Sequence, residues 1–266
     1  MKGSRQRRPP PDQELITGRQ PVQEAVRAAL PLLWLEVARG TKGDVIQEIV
    51  AAATERDIPV KWVDRSAIDR RAGGTNHQGV IAGMAEFPYS DMDALLALAA
   101  DRGEPPFILI AAEVLDPQNL GSLIRTAEGA GMHGVIIPRH RSAGVTAAVL
   151  RVSAGAAAHL PVARVTNLRR TLDELKLHGL WFAAADGSGS QTIYEADLAG
   201  PLGIVVGSEG RGIPRLVNEH CDFHLRIPML GSVDSLNAGV AGALMIYEAL
   251  RQRLAGRGAN NRAIRQ

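Results

Sequence analysis

The first third of the chain alternates between the hydrophobic periods of helices and strands. Short, nearly continuous apolar runs indicate strands, and apolar positions that recur every three or four residues indicate helices. The predicted helices are Pro21–Leu30 and Asp44–Arg56, and the predicted strands are Leu32–Ala38, Pro59–Val63 and His77–Met84. We therefore expect a small α/β domain over residues 14–85, followed by a linker and connecting helix over residues 86–105.

The pattern becomes more regular after residue 105. Strands are predicted at 106–112, 134–138, 161–165, 180–185, 202–206 and 223–227, and helices at 91–100, 119–130, 146–153, 168–178, 214–220 and 235–254. The last helix carries one apolar stripe, formed by Leu236, Val240, Leu244, Tyr247 and Leu250. Such alternation is typical of a parallel sheet covered by helices on both faces. Ligands bind these sheets beyond the carboxyl ends of the strands, so the loops at 113–121, 207–212 and 228–235 are candidates for a site.

Composition excludes several classes of protein. The 266 residues are 45% hydrophobic and 22% charged, which is ordinary for a globular protein and excludes wholesale disorder. The sequence has no run of 18 apolar residues that would predict a membrane span, and Met1–Gln13 has no apolar core of a secretory signal. The single cysteine, Cys221, cannot form an internal disulfide. We expect a soluble cytoplasmic protein.

The net charge of +2 is distributed unevenly. Residues 1–13 carry +3 and residues 251–266 carry +5, whereas residues 14–250 carry −6. Short arginine-rich ends on an acidic body suggest a polyanionic partner such as a nucleic acid, although solubilising, poorly ordered ends have the same composition. Aromatic residues make up only 4% of the chain, which argues against extensive base stacking on single strands.

Two clusters that look like motifs carry little weight. Residues 129–134 match the dinucleotide-binding pattern G-x-G-x-x-G, but they end a predicted helix and precede a strand, which is the reverse of the required order. These glycines are better explained as a helix end and a turn. His220, Cys221 and His224 straddle a helix end and a strand start, so we predict a buried thiol beside two ordinary histidines rather than a metal site.

More informative segments lie at the carboxyl ends of the predicted strands. The first, Asp116–Thr126, leads from a loop into a helix, with Asn119 as a candidate N-cap and Arg125 inside the helix. The second, Val206–Gly212, contains three glycines that let the backbone approach a ligand closely, with Glu209 between them. Each segment alone has an ordinary structural explanation, as a solvated helix face or a glycine-rich turn.

A third segment joins Ile227-Pro228-Met229 to Ser235-Leu236-Asn237, where Ser235 is a candidate N-cap for the last helix. In order and spacing the three segments resemble the SpoU family of RNA ribose 2′-O-methyltransferases, within the SPOUT superfamily. The first family motif, Asn-x-Gly-x-x-x-Arg, falls on Asn119, Gly121 and Arg125. The second, Gly-[Ser/Ala]-Glu-Gly-x-Gly, falls on Gly207–Gly212. The third, Ile-Pro-Met followed by Ser-Leu-Asn, falls on Ile227–Met229 and Ser235–Asn237.

The resemblance implies an architecture. The methyltransferase domain over residues 106–254 would hold a parallel sheet with a trefoil knot. The α/β domain over 14–85 looks like the ribosomal-protein-like RNA-binding domain of the family, with Gly18-Arg19 and His77-Gln78-Gly79 as cues. Similar N-terminal domains occur in enzymes that methylate a guanosine of large-subunit rRNA. The resemblance also implies a homodimer. From the distribution of charge, we expect basic tails at 1–13 and 255–266.

The resemblance also implies a chemistry, with S-adenosylmethionine as the cofactor and no metal. The matching cofactor-binding positions are Gly207, Ile227, Met229 and Leu236, and the matching catalytic positions are Arg125, Glu209, Asn119, Ser235 and Asn237. A guanidinium stays protonated in proteins, so Arg125 is expected to grip a phosphate and stabilise the ribose alkoxide. Glu209 would orient Arg125, and the remaining three residues would fix the loops and the ribose.

One departure and several alternatives stand beside this interpretation. Relatives usually carry Val-Ser where this chain has Ala238-Gly239, and a glycine in a helix costs about 1 kcal/mol relative to alanine. The substrate could instead be tRNA ribose, although tRNA enzymes of the family commonly have only short basic extensions. An antibiotic-resistance rRNA methyltransferase has a similar layout. A non-catalytic RNA-binding or ribosome-assembly protein would show eroded motifs, and a nicotinamide oxidoreductase is weakened by the misplaced glycines.

Overall fold

The computed structural model describes residues 14–263, with side chains described up to residue 256. The chain forms two compact units. One combines the chain up to Pro88 with Val145–Ala158, and the other combines Tyr89–Gly144 with the chain from His159 onward. The predicted tail over 1–13 lies outside the described residues, as do the side chains of Arg257, Arg262 and Arg265. No helix within residues 14–263 is long and apolar enough to cross a membrane.

The first unit is built on a four-stranded mixed sheet. Its elements begin, in chain order, with β1 (Glu14–Thr17), α1 (Arg19–Arg27), β2 (Leu32–Ala38), α2 (Asp44–Glu55), β3 (Val60–Val63), α3 (Arg65–Ala72) and β4 (Val80–Met84). The strands are ordered β1-β4-β2-β3, with β2 parallel to β3 and antiparallel to β4. The helices α1 and α2 pack together, and their apolar faces are buried at Val22, Val26, Ile46 and Ile49.

The hydrophobic pattern missed β1 and α3 and placed the start of β4 too early. Only four residues form β1, and α3 is largely polar, with Ile68 and Ala72 as its buried residues. Before β4 the backbone turns at Gln78 and Gly79, both with positive φ. A Cβ on Gly79 would lie 2.5 Å from the Thr41 hydroxyl oxygen, so glycine is required here by both conformation and space.

The elements after β4 belong to the second unit, with the exception of one helix and one turn. In chain order the structure has α4 (Met92–Asp101), β5 (Phe107–Ala111), α5 (Pro117–Gly129), β6 (Gly134–Pro138), α6 (Ala147–Val152), a 3-10 turn (Ala156–Ala158), β7 (Val162–Val165), α7 (Leu168–Leu177), β8 (Trp181–Ala185), β9 (Gln191–Thr192), β10 (Leu202–Val206), α8 (Arg215–Asn218), β11 (Phe223–Arg226) and α9 (Ala238–Ala263). Of these, α6 and the 3-10 turn belong to the first unit.

Seven strands of the second unit form one sheet in the order β7-β6-β5-β10-β8-β11-β9. Every pairing in it is parallel, which confirms the prediction from the alternating pattern. The central strands β5, β6 and β10 are buried along their whole length, as expected for a sheet with helices on both faces. The long helix α9 packs against α5, β8 and β10.

One segment leaves the second unit and completes the first. Helix α6 contacts β1, and the backbone N–H of Ala147 donates to the carboxylate of Glu14 at 3.2 Å. Gly155 lies so close to Glu24 that a Cβ there would come within 2.4 Å of its side chain. The contacts therefore divide the chain differently from the predicted ranges, which placed residues 145–158 in the methyltransferase domain. Sequence order alone does not show that this short segment packs with β1 and α1.

Candidate active site

A cavity of about 490 Å³ opens at the carboxyl ends of β8, β10 and β11. It lies within the range of about 300–1,000 Å³ that is usual for small-molecule sites. Three loops and the start of α9 line it, at Ala185–Gly187, Val206–Gly210 with Gly212, Leu225, Ile227 and Met229, and Asp234–Ala238 with Ala241. The predicted loops at 207–212 and 228–235 therefore contribute, whereas no residue of 113–121 lines the cavity.

The glycine-rich loop after β10 folds back on itself. Ser208 and Gly212 exchange two backbone hydrogen bonds of 3.1 and 2.9 Å, and Gly210 and Gly212 have positive φ. A Cβ on Gly207 would lie 2.2 Å from the carbonyl carbon of Gly212. The three glycines were expected to let the backbone approach a ligand closely, but at Gly207 the close approach is to the backbone of the same loop.

The helix of the first motif begins earlier than predicted. Asp116 is the N-cap of α5, accepting a hydrogen bond from the Gln118 N–H at 3.0 Å, and Pro117 occupies the first turn. Asn119 therefore is not the cap. It lies inside the first turn and is buried, with its side-chain oxygen directed toward the start of α9.

The last helix also begins at a different residue. Asn237, not Ser235, is its cap, because the Asn237 side-chain oxygen accepts from the N–H groups of Gly239 at 2.9 Å and Val240 at 3.3 Å. Ser235 and Leu236 precede the helix and line the cavity. The prediction of a serine cap was wrong because both residues are good caps, and only the helix boundary decides between them.

Asn237 connects the three motifs. Its side-chain amide donates to Asn119 Oδ1 at 2.8 Å and to Glu209 Oε1 at 2.5 Å. Two backbone N–H groups saturate the oxygen of the same side chain, so its orientation is fixed from both ends. Glu209 thereby binds Asn237. Within residues 14–256 it forms no hydrogen bond or ion pair with Arg125, so the predicted pairing of Glu209 with Arg125 is not present in the single chain.

Arg125 stands apart from this network. It lies on the exposed side of α5, does not line the cavity, and has no hydrogen-bond or ion-pair partner among residues 14–256. By contrast, Gly207, Ile227, Met229 and Leu236, the four positions matched to the cofactor, all line the cavity together with Glu209, Ser235 and Asn237. One chain thus assembles every predicted site residue around the cavity except Arg125 and the buried Asn119.

Residues 106–247 match the family model described as the SpoU rRNA Methylase family, and residues 15–90 match the model described as RNA 2′-O ribose methyltransferase substrate binding. The chain belongs to the SpoU rRNA methylase family. It is therefore an RNA methyltransferase by family. The resemblance and the α/β architecture predicted from the sequence, with an N-terminal substrate-binding domain, are confirmed.

Individual members support the assignment to the SpoU family. YacO of Bacillus subtilis strain 168, named a TrmH family tRNA/rRNA methyltransferase, is 42% identical over 240 residues, which cover 90% of this chain and 96% of that protein. The crystal structure of an RNA 2′-O ribose methyltransferase has a TM-score of 0.72 and 29% identity, over 91% of this chain and 90% of that one. The SpoU methyltransferase AviRb from Streptomyces viridochromogenes shares the fold, with a TM-score of 0.79 and 24% identity over 92% of this chain and 91% of that one. AviRb has also been solved in complex with AdoMet.

The cavity is also lined by a carboxylate, that of Asp186, which lies outside the three family motifs. Asp186 follows β8, and its two oxygens accept hydrogen bonds from Ser188 and from Asn218. Partial burial raises the pKa of Asp186, but the hydrogen bonds from Ser188 and Asn218 outweigh this and lower the pKa below its ordinary value. Its position at a strand's carboxyl end was the signal that could have identified it.

The glycine that replaces the usual serine of the SpoU family lies in a crowded place. A Cβ on Gly239 would lie 3.1 Å from Asn237 Oδ1 and 3.4 Å from the Ser122 side chain. The Gly239 N–H also binds the cap oxygen of Asn237. Glycine here therefore leaves room for the cap, and the three motifs remain intact around it.

The glycines of residues 129–134 and the thiol of Cys221 lie as predicted. Helix α5 ends at Gly129, Gly131 turns with positive φ, and β6 starts at Gly134, so these glycines form a turn. Cys221 is buried, and burial raises the pKa of its thiol to about 12. In the part of the chain that the structure describes, no group of three His, Cys, Asp or Glu side chains is placed to hold a metal ion.

Proposed function

We propose that this protein methylates the 2′-hydroxyl of a ribose in RNA, and that the target is a guanosine of large-subunit rRNA in the cytoplasm. One observation carries the proposal: a single saturated side chain, Asn237, joins the three motif segments beside a cavity of cofactor size. A protein whose motifs had eroded would lack one or more of the partners of Asn237. The family model matched by residues 15–90 supports an RNA ribose substrate.

The cofactor of the SpoU family is S-adenosylmethionine, and the residues of the cavity fit it. Backbone groups of the folded glycine loop offer hydrogen bonds, and Ile227, Met229 and Leu236 offer apolar surface. The carboxylates of Asp186 and Asp234 lie in the same lining and complement a positively charged ligand. When bound, this cofactor supplies an electrophilic methyl group.

The residues of the chain have to prepare the ribose hydroxyl. A hydroxyl is a weak nucleophile until its proton leaves, so the site must stabilise an alkoxide. A guanidinium does not act as a base in proteins, so the hydroxyl proton does not pass to Arg125 but leaves to water as the methyl group is transferred. We assign Arg125 to the neighbouring phosphate and to the developing negative charge. Asn237 acts as a positioning residue, since both its N–H groups and its oxygen are already bound within the protein.

We further propose a homodimer in which Arg125 acts on the site of the partner. The predicted apolar stripe of α9 is exposed in the single chain, at Val240, Leu244 and Tyr247, which are 48%, 39% and 52% exposed. A contiguous exposed apolar face on a helix is typical of an interface. The helices α5 and α9 pack together, so an interface on α9 brings Arg125 of α5 near a second copy. This would explain why Arg125 does not line the cavity of its own chain.

The domain roles follow the predicted ranges. We assign RNA binding to residues 14–85 and methyl transfer to residues 106–254. The rRNA assignment, as opposed to tRNA, rests on this N-terminal domain, since a tRNA enzyme of the family commonly does without one. We also propose that the sheet of the second unit carries a trefoil knot; the packing of α9 against α5, β8 and β10 supports it.

Three measurements test the proposal. Calorimetry should show binding of S-adenosylmethionine and none of NAD. Methyl transfer is then measured on an unmodified large-subunit rRNA transcript and on pooled tRNA transcripts, and the ribose mark is mapped by reverse-transcription stops. Label on tRNA alone would favour the alternative substrate. Cofactor binding without transfer to either RNA would indicate a binding or assembly protein, and a mark on a base would contradict ribose methylation.

A further inference from the structure

A second functional surface lies beside the motif segments, in the loop that follows β6. Residues Arg139-His140-Arg141-Ser142, which we call the basic loop, leave the carboxyl end of that strand. In the sheet β6 is the neighbour of β5, on the side of β5 opposite to β10. The basic loop therefore lies at the same edge of the sheet as the first motif, but on the side remote from the cofactor cavity.

The backbone of the basic loop is held at both ends. The Arg139 N–H donates to the Val165 carbonyl at 2.7 Å, and the Arg139 carbonyl accepts from the Arg164 guanidinium at 3.2 Å. At the other end the Ala143 N–H and the Ser142 hydroxyl both donate to the Val114 carbonyl, at 2.8 and 3.2 Å. The loop is thus fixed to the strand ends on either side of it rather than free in solvent.

The cationic side chains of this fixed loop point outward with little neutralisation. Arg141 has positive φ, its side chain is 81% exposed, and its acidic neighbour Glu113 is 3.8 Å away. Arg139 and His140 are exposed, and the Arg139 side chain has no partner within residues 14–256. An anchored backbone that presents two guanidinium groups to solvent is an arrangement suited to phosphate, which a guanidinium binds with two parallel hydrogen bonds.

We propose that the basic loop binds phosphates of the substrate RNA next to the nucleotide to be methylated. The inference rests on the proposed function, because it places the RNA at the same sheet edge as the first motif. Contacts to phosphate fix the register and orientation of a nucleic acid without reading its sequence. The basic loop is therefore assigned to positioning and affinity, and the choice of nucleotide is left to other surfaces.

The test compares variants that differ only in surface charge. Arg139→Gln combined with Arg141→Gln removes both charges, and Arg139→Lys combined with Arg141→Lys retains them. The matched control is Arg170→Gln combined with Arg215→Gln, since these side chains are 80% and 79% exposed on the same unit, each paired with a glutamate four residues away. The probe is an unmodified large-subunit rRNA transcript, with binding measured over a range of salt concentrations.

The glutamine pair should flatten the log–log salt dependence of RNA affinity by about 1.4–1.8, the sum of two phosphate contacts. Its KM for RNA should rise several-fold, with kcat and affinity for S-adenosylmethionine unchanged. The lysine pair should keep the salt slope of the wild type. A slope and a KM in the glutamine pair equal to those of the control pair would overturn the assignment.

Failure of this inference is distinguishable from failure of the proposed function. Methylation by the wild type with an unchanged slope in the glutamine pair contradicts the basic loop alone. RNA binding by the wild type without methylation contradicts the proposed function, while the slope still tests the loop. A wild type that does not bind the transcript contradicts both.

Discussion

Asn237 donates a hydrogen bond of 2.8 Å to Asn119, 118 residues earlier in the chain. The same amide group reaches Glu209 in the glycine-rich loop, and the oxygen of the side chain caps α9. All hydrogen-bonding groups of this amide are used within the protein, so the nitrogen and oxygen cannot exchange places. The side chain is therefore a fixed connection between the three loops that form the candidate site.

Asn237→Asp should separate the two tasks of this residue. Aspartate is as good a cap as asparagine, but it cannot donate to Asn119 or Glu209 and adds a negative charge beside the Glu209 carboxylate. We expect at least a tenfold loss of affinity for S-adenosylmethionine, equivalent to about 1.4 kcal/mol, measured by calorimetry. Ser235→Ala in the same lining should change the free energy of unfolding by no more than about 0.5 kcal/mol. An Asn237→Asp variant that binds S-adenosylmethionine as tightly as Ser235→Ala does would contradict the connecting role.

Gly207→Ala tests whether the loop or the ligand requires glycine. Because the added Cβ would meet the backbone of Gly212, the loop must shift, and we expect a loss of about 1–3 kcal/mol in the free energy of unfolding even without cofactor. Gly187→Ala is the control, since Gly187 lines the same cavity and a Cβ there meets nothing within 4 Å. Chemical denaturation of both variants without ligand decides the matter. A Gly207→Ala variant with wild-type stability would indicate that the ligand, and not the loop, requires glycine at this position.

The fold was largely predictable from hydrophobic pattern, but the ends of its elements were not. Strands β2 and β10 begin and end at the predicted residues because their apolar runs are bounded by polar or turn-forming neighbours. The two N-caps, in contrast, could not be predicted, because more than one residue in each segment can accept a hydrogen bond from the first N–H groups of the helix. Asp116 competed with Asn119, and Asn237 with Ser235, and only the three-dimensional helix start decides such cases.

Arg125→Ala should abolish methylation and leave cofactor binding and folding intact. Removing one preorganised charge beside a developing alkoxide lowers the rate by about 10²–10³-fold. Arg125→Lys should restore little, because an ammonium does not reproduce the planar fork of a guanidinium. Single-turnover methylation of the RNA, beside calorimetry with the cofactor, measures both effects. Near-normal turnover in the alanine variant would remove Arg125 from the mechanism.

Mixed dimers reveal which subunit supplies Arg125. Each of the variants Arg125→Ala and Asn237→Asp is expected to lose most of its activity alone, the first through turnover and the second through affinity for S-adenosylmethionine. If Arg125 acts on the partner's site, random mixing should restore about one quarter of wild-type activity, because half the dimers are mixed and each holds one intact site. If Arg125 serves the cavity of its own chain, mixing should restore none. Light scattering of each sample checks that dimers form.

Arg253 shows that part of the basic C-terminal end is structural. Its buried guanidinium donates to the carbonyls of Pro105, Pro106 and Gly200 and lies 4.2 Å from the centre of the Phe107 ring. Arg253→Met should lower the free energy of unfolding by at least about 1.5–3 kcal/mol, the value of one hydrogen bond to a charged group. Arg170→Gln removes an exposed ion pair with Glu174 and should change the free energy of unfolding by less than about 1 kcal/mol. Thermal unfolding curves that coincide would contradict the structural role.

A test of the tails in RNA binding has to leave Arg253 unchanged. Substituting Arg257, Arg262 and Arg265 by glutamine, with the four basic residues of 1–13, removes charge and leaves Arg253 in place. If the tails bind phosphate, the log–log salt slope should fall by about 0.7–0.9 for each phosphate that the variant no longer binds. An unchanged slope would leave the tails a solubilising role only.

His133 predicts a dependence of stability on pH. Its ring is fully buried, Nδ1 accepts from the Phe107 N–H at 3.0 Å, and Nε2 lies 3.2 Å from a Glu104 oxygen. Burial lowers the pKa of His133 below 6.5, so between that folded value and 6.5 the unfolded chain binds more protons than the folded one. The free energy of unfolding should therefore fall as pH drops below 6.5, by at most about 1.4 kcal/mol per pH unit from this group.

The measurement is urea unfolding at several pH values between about 5 and 7.5, which bracket the ordinary pKa of histidine. His133→Gln should show a smaller fall over that range than the wild type, because the titrating group is gone. The control, His140→Gln, replaces an exposed histidine and should follow the wild-type curve. A wild-type slope in the His133 variant would show that other groups cause the acid sensitivity.

The exposed face of α9 marks a limit of sequence reasoning of a different kind. The helix is apolar on two sides, with Met245, Ile246 and Ala249 buried and Val240, Leu244 and Tyr247 exposed. Hydrophobic spacing identified the second set as a stripe but contains no information on whether a core or another molecule covers it. Likewise Arg125 was found from its motif, while its absence from the cavity lining appeared only in three dimensions.

The excursion of residues 145–158 limits how this protein could be recombined. A single cut after Pro88 would leave the first sheet without α6, and the Glu14 carboxylate without the Ala147 N–H that it binds. A chimera that exchanges N-terminal modules between relatives therefore has to transplant two separate pieces of gene, 14–88 and 145–158. For the same reason, a single crossover between residues 88 and 145 would combine the β1 of one gene with the α6 of another.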